Sequence, residues 1–70
     1  MKKVNPTRLK SNVIFSFNGK KYKWIDKGEC WRQLAYENGE LVAHDDKNLI
    51  KIFLGEKVEI KDENKAERLL

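Results

Sequence analysis

The stretch that decides the reading of this chain is Asn12-Val13-Ile14-Phe15-Ser16-Phe17-Asn18-Gly19-Lys20-Lys21-Tyr22-Lys23-Trp24-Ile25-Asp26. Asn-Gly is the favoured pair for a two-residue type I′ hairpin turn, because both central residues must take positive φ. A turn at Asn18-Gly19 sets Phe17 opposite Lys20, Phe15 opposite Tyr22 and Val13 opposite Trp24. Side chains alternate between the two faces of a strand. Val13, Phe15, Phe17, Tyr22 and Trp24 therefore share one face, which the pattern predicts as core. Ile14, Ser16, Lys21 and Lys23 share the other, which is expected to face solvent and to be basic.

The same device recurs at Asn38-Gly39, between Trp31–Tyr36 and Leu41–His44. A two-residue turn there pairs Tyr36 with Leu41 and Leu34 with Ala43, and these four make the better core face. Trp31, Ala35 and Val42 are left on the outer face, with Gln33 opposite His44. Only the turn chemistry repeats, not the sequence.

Outside the hairpins the signals are weaker. Residues 1–11 are polar, basic and broken by Pro6, so they read as a basic N-terminal arm, with Leu9 pinning it to the body. Residues 46–54 fit either a short helix or a strand. Asp45 or Asp46 as cap and Gly55 as stop favour the helix, with Leu49, Ile50, Phe53 and Leu54 on one side. Lys57–Lys61 alternates and reads as a closing strand. Residues 62–70 read as a C-terminal helix capped by Asp62, or as a frayed tail. Residues 12–61 are then a single β-rich domain: mainly β, a small five-stranded antiparallel sheet with one short helical turn. That order resembles the layout of a small SH3-like barrel, a likeness of architecture that carries no function.

Composition bounds the rest. Seventy residues allow one small domain, which buries only about 60% of its unfolded surface. No apolar run approaches the ~20 residues of a membrane helix, and no apolar leader follows Met1-Lys2-Lys3. The single cysteine, Cys30, cannot close a loop within the chain, so a cytoplasmic setting is expected. Fifteen basic residues against eleven acids give net +4, unevenly spread. Residues 1–28 hold eight basic residues against Asp26 alone, whereas residues 29–70 hold seven against ten acids. Such asymmetry suits a polyanionic partner, or a basic segment that serves solubility.

No constellation asks for catalysis, cofactor or metal. His44-Asp45-Asp46 is the one cluster with ligand character, but neighbours on a strand point to opposite faces. The glycines at 19, 28, 39 and 55 read as turns or caps rather than a phosphate loop. The leading expectation is a non-enzymatic module that binds nucleic acid. Lys2, Lys3, Arg8, Lys10, Lys20, Lys21 and Lys23 would meet phosphates, and Trp31 would stack on a base. The alternative is a protein-binding inhibitor or adaptor, of the kind phages and mobile elements encode. It would use an outer patch of Trp31, Arg32, Gln33, Ala35, Val42 and His44, for a heterologous partner or a homodimer.

The turn assignment is directly checkable. Gly19→Val and Gly39→Val should each lower the melting temperature more than an ordinary surface change, because a β-branched residue resists positive φ. An unchanged melting temperature in both would mean the turns lie elsewhere.

Overall fold

The computed structural model describes residues 2–60. In chain order they form β1 (Lys2–Val4), a 3-10 turn (Pro6–Arg8), β2 (Phe15–Phe17), β3 (Lys20–Asp26), β4 (Arg32–Tyr36), α1 (Lys47–Phe53) and β5 (Val58–Ile60). The strands make one antiparallel sheet in the order β1-β5-β2-β3-β4. The expected segment at 62–70 lies outside the described residues.

The first hairpin forms as its sequence requires. Asn18 and Gly19 take φ of 50° and 79°, the signature of a type I′ turn. Phe15 pairs with Tyr22, Ser16 with Lys21 and Phe17 with Lys20. Phe15, Tyr22 and Trp24 are buried, and Val13 and Phe17 pack against them half-buried. Pairing stops short of Val13, however. Asn12 takes φ of 69° and its N–H reaches the Trp24 carbonyl at 2.8 Å, so the backbone leaves the expected Val13–Trp24 register there.

The second hairpin differs from its expected register by one residue. Its loop has three residues, Glu37-Asn38-Gly39, of which only Gly39 is left-handed, at φ 94°. Gly39 N–H donates to the Tyr36 carbonyl (2.9 Å) and Tyr36 N–H to the Glu40 carbonyl (2.8 Å). The Asn38 side chain accepts the Glu40 N–H at 2.9 Å, which holds Asn38 in a turn that does not use positive φ. A three-residue loop places Ala35 across from Leu41 and bonds Val42 N–H to the Leu34 carbonyl. A one-residue slip exchanges the faces of a strand. Val42 is therefore core, while Leu41 and Ala43, expected inside, are exposed.

The stretch from Leu41 makes a single bridge, at Leu41, rather than a strand. The fifth strand is instead β1, within the stretch that reads as a basic arm. It covers the open edge of β5, with Lys2 opposite Ile60 and Val4 opposite Val58. The 3-10 turn then folds over the core. Asn5 caps it by accepting the Thr7 N–H at 3.0 Å, and Leu9 beyond it is fully buried. Trp24 Nε1 donates to the Pro6 carbonyl at 2.8 Å, joining this turn to the sheet. Arg32 lies over the Trp24 ring, 5.1 Å from its centroid, and donates to the Thr7 (3.1 Å) and Leu9 carbonyls. Arg32 stands opposite Asp26 in the sheet.

Residues 47–53 are helical, for the reason the capping signals give. Asp46 accepts the Asn48 N–H at 2.8 Å. At the far end Gly55 N–H bonds the Ile52 carbonyl and Glu56 N–H the Lys51 carbonyl, with Gly55 at φ 87°. This is a Schellman closure, which needs a left-handed residue after the cap. The side that packs on the core is led by Ile52, which is fully buried, with Leu49 half-buried, while Ile50, Phe53 and Leu54 are exposed. Polar bonds set this orientation. Asn48 Nδ2 donates to the Tyr22 hydroxyl (3.0 Å), its Oδ1 accepts from Asn18 (3.0 Å), and the Tyr36 hydroxyl donates to Asp46 Oδ2 (3.1 Å).

The hydrogen bond to Asp46, with burial and the carboxylate's charge adding to it, holds the Tyr36 phenol above the ordinary tyrosine pKa. The folded state thus keeps this proton more tightly than the unfolded chain. That contribution is complete below the ordinary value and is lost as pH rises through the folded one. Asp46→Asn keeps a good cap but removes the charge, so tyrosinate absorbance should appear at lower pH than in the wild type. Asp46→Ala should in addition destabilise the fold by ~1 kcal/mol in denaturant melts, through loss of the cap.

Candidate nucleic-acid interface

The outward face of the sheet is built by the same alternation that fills the core. Lys3 stands across from Glu59, Glu59 from Ser16, and Ser16 from Lys21. The row continues to Glu37, whose N–H bonds the Lys21 carbonyl at 3.2 Å. Positive and negative side chains thus alternate along it. The next row sets Lys23 opposite Ala35, and the one after that Ile25 opposite Gln33. Lys20 and Lys21 are exposed and Lys23 is half-buried. Ala35 is fully buried although it faces outward, so longer neighbours cover it. The alkyl stem of Lys23, directly across, is long enough to do so.

Trp31 lies at the opposite end of β3 from the Asn18-Gly19 turn. Lys27 N–H bonds its carbonyl at 3.2 Å and closes the loop that carries it. The indole is 57% exposed and rests over Gly28, where a Cβ would come within 2.4 Å of Nε1. Glycine at 28 is therefore what lets the ring lie down on its own loop. Lys20 and this ring stand at opposite ends of the seven-residue β3, a run of roughly 20 Å.

Two shallow grooves flank the hairpin tip. One, of about 360 Å³, is lined by Lys3, Ser16, Asn18, Lys51 and Lys57 together with Glu56 and Glu59. The other, of about 450 Å³, lies between Lys20 and Lys21 on one side and Tyr36, Glu37 and Asn38 on the other. Lys51 and Lys57 were not among the sequence candidates. They come from α1 and from the approach to β5, and only the folding of these elements beside β2 brings them to Lys3.

The other expected site residues are dispersed. Lys2 belongs to edge strand β1. Arg8 ends the 3-10 turn, which packs against α1, and exposed Lys10 follows it. Neither lies on the outward face of β3. The expected apolar patch does not assemble: Ala35 and Val42 are buried, and Val42 is on the core side. Arg32 is engaged with Trp24 and the backbone of the 3-10 turn. Gln33 is half-buried, and His44 is exposed in the turn that leads to α1. The exposed apolar cluster is elsewhere, at Ile50, Phe53 and Leu54, which are 58%, 52% and 78% exposed. Its signal was present in the sequence as a second apolar stripe at i, i+3 and i+4, competing with Leu49 and Ile52 for the inward side.

Comparison with protein-family models, curated proteins and solved structures finds no match to this chain. Among the described residues no helix is long and apolar enough to cross a membrane. Among them, too, no three His, Cys, Asp or Glu side chains gather as metal ligands, and Asp46 is occupied as the helix cap.

The contrast between the two tryptophans is measurable. Trp31→Ala should change stability by no more than ~0.5 kcal/mol, as surface substitutions do. Its fluorescence should shift to the blue of the wild type, because the remaining Trp24 is only 3% exposed. A protein that unfolds, or an emission that reddens, would reverse the roles of the two rings.

Proposed function

We propose that this chain is a small non-enzymatic module that binds single-stranded nucleic acid along the outward face of β3. One observation carries the reading. Lys20, Lys21 and Lys23 lie on one strand, outward or at its turn, and an exposed indole closes the far end of the same strand. Lysines that neutralise phosphates release counterions, which supplies most of the affinity. An exposed aromatic face adds base stacking that tolerates any base. Lys27, exposed beside Trp31, extends the positive track.

The arrangement also sets the character of the binding. Glu37 and Glu59 stand beside Lys21 and Lys3, so the field is diluted and the affinity modest. The face offers phosphate contacts and stacking but no recessed donor–acceptor array, so the interaction is weakly selective for sequence. The reading is non-enzymatic because Cys30 and His44, the residues best suited to a nucleophile and its base, are exposed on separate loops. A protein-binding surface of Trp31, Ala35 and Val42 is not proposed, since two of the three are buried.

Fluorescence anisotropy with labelled homopolymeric oligonucleotides tests the proposal. Wild-type affinity should fall steeply with salt. Lys21→Glu/Lys23→Glu should weaken binding at least about tenfold and flatten the salt slope. Trp31→Ala should cost ~1–3 kcal/mol per stacked base while leaving the salt slope unchanged. Equal binding by the charge-reversed variant and the wild type would defeat the reading.

A further inference from the structure

The exposed surface of α1 is half apolar and half basic. Going round the helix at about 100° per residue, Phe53, Ile50, Leu54, Lys47 and Lys51 follow one another across the exposed arc. Asn48, Leu49 and Ile52 fill the inward arc. Phe53 is anchored on one side by a T-shaped contact with Trp24, centroids 5.3 Å apart, yet it remains half exposed. Ile50 and Leu54 stand further out, at 58% and 78% exposure. Three large apolar side chains so displayed, at i, i+3 and i+4, share one exposed side of the helix. Folding gains nothing from this exposure, because Ile52 and Leu49 already supply the helix's contribution to the core.

We propose that this face docks an acidic amphipathic protein segment, whose apolar side chains cover Ile50, Phe53 and Leu54 and whose carboxylates meet Lys47 and Lys51. Charge selects this occupant. A second copy laid face to face would oppose Lys47 and Lys51 with the same two lysines, and each chain carries net +4. A neutral apolar partner would leave both lysines without a counterpart. A segment with two or three large apolar residues and flanking Asp or Glu satisfies both halves of the arc at once. The surface is distinct from the outward face of β3, so the inference stands apart from the nucleic-acid reading.

A displayed library of random twelve-residue peptides, selected on the full chain and counter-selected on Ile50→Asp/Leu54→Asp, tests it. Both positions are exposed, so the double variant should keep the wild-type melting temperature. Lys47→Glu/Lys51→Glu provides a second variant whose changes touch no core residue. The expected result is enrichment of net-acidic peptides bearing large apolar residues. A synthetic copy of the best peptide should bind at least tenfold more weakly to Ile50→Asp/Leu54→Asp and several-fold more weakly to Lys47→Glu/Lys51→Glu. It should bind equally to Lys21→Glu/Lys23→Glu. Four results would overturn the proposal. These are no enrichment over the counter-selected variant, or enrichment of neutral or basic peptides. The others are a wild-type dimer that Ile50→Asp/Leu54→Asp abolishes in sedimentation, and peptide binding that appears only after removal of residues 61–70. The last two would assign the face to a second copy or to the chain's own end.

Discussion

The indole of Trp24 is the junction on which the fold turns. It sits on β3, between β2 and β4, and three other elements meet on it. Its Nε1 bonds the Pro6 carbonyl, its face carries the Arg32 guanidinium, and Phe53 packs against it in a T-shaped contact. A buried indole N–H must find an acceptor, and the acceptor it finds belongs to the start of the chain. Arg32 completes the arrangement by taking two further carbonyls of the same turn. The N-terminal residues are thereby held on the core, although few are apolar. In a domain this small, where apolar burial is limited, a few charge-assisted and aromatic contacts decide where the N-terminal residues rest.

A second polar cluster performs the same task at the other end of the core. Asn48 links the Tyr22 hydroxyl to Asn18, and Asp46 receives both a helix N–H and the Tyr36 hydroxyl. Among the described residues no buried side-chain polar atom lacks a partner. Each of these bonds is worth little in net terms, but leaving one unmade in the interior is costly. The network therefore selects one rotation of α1 over others that would bury as much hydrocarbon. That choice turns Ile50 and Leu54 outward. The apolar face available for docking is in this sense a consequence of satisfying Tyr22 and Asp46.

The two surfaces differ in how they draw on the chain. The lysine track lies along one strand, so local alternation suffices to align it, and the ring that ends it sits on the adjoining loop. The groove beside Lys3 at the hairpin tip is a composite. Its lysines come from β1, from the helix and from the approach to β5, and the acids Glu56 and Glu59 come with them. Net charge concentrated in the first 28 residues does not become one basic face, because the antiparallel sheet lays the acidic half beside the basic half.

Short-range chemistry settles a good deal of this protein. The Asn18-Gly19 turn, its register through Tyr22, the core side of the first hairpin, the Asp46 cap and the Gly55 stop all follow from residues within a few positions of one another. The outward lysines and the exposed Trp31 follow from the same alternation. Three matters were settled only in three dimensions. The Asn38-Gly39 loop takes three residues rather than two, since one Asn-Gly pair serves either turn and burial of Val42 decides between them. Lys2–Val4 becomes a strand because the edge of β5, more than fifty residues away, needs covering. The helix shows Ile50, Phe53 and Leu54 to solvent because two apolar stripes compete on one short element, and the hydrogen-bonding needs of Tyr22, a property of another strand, break the tie.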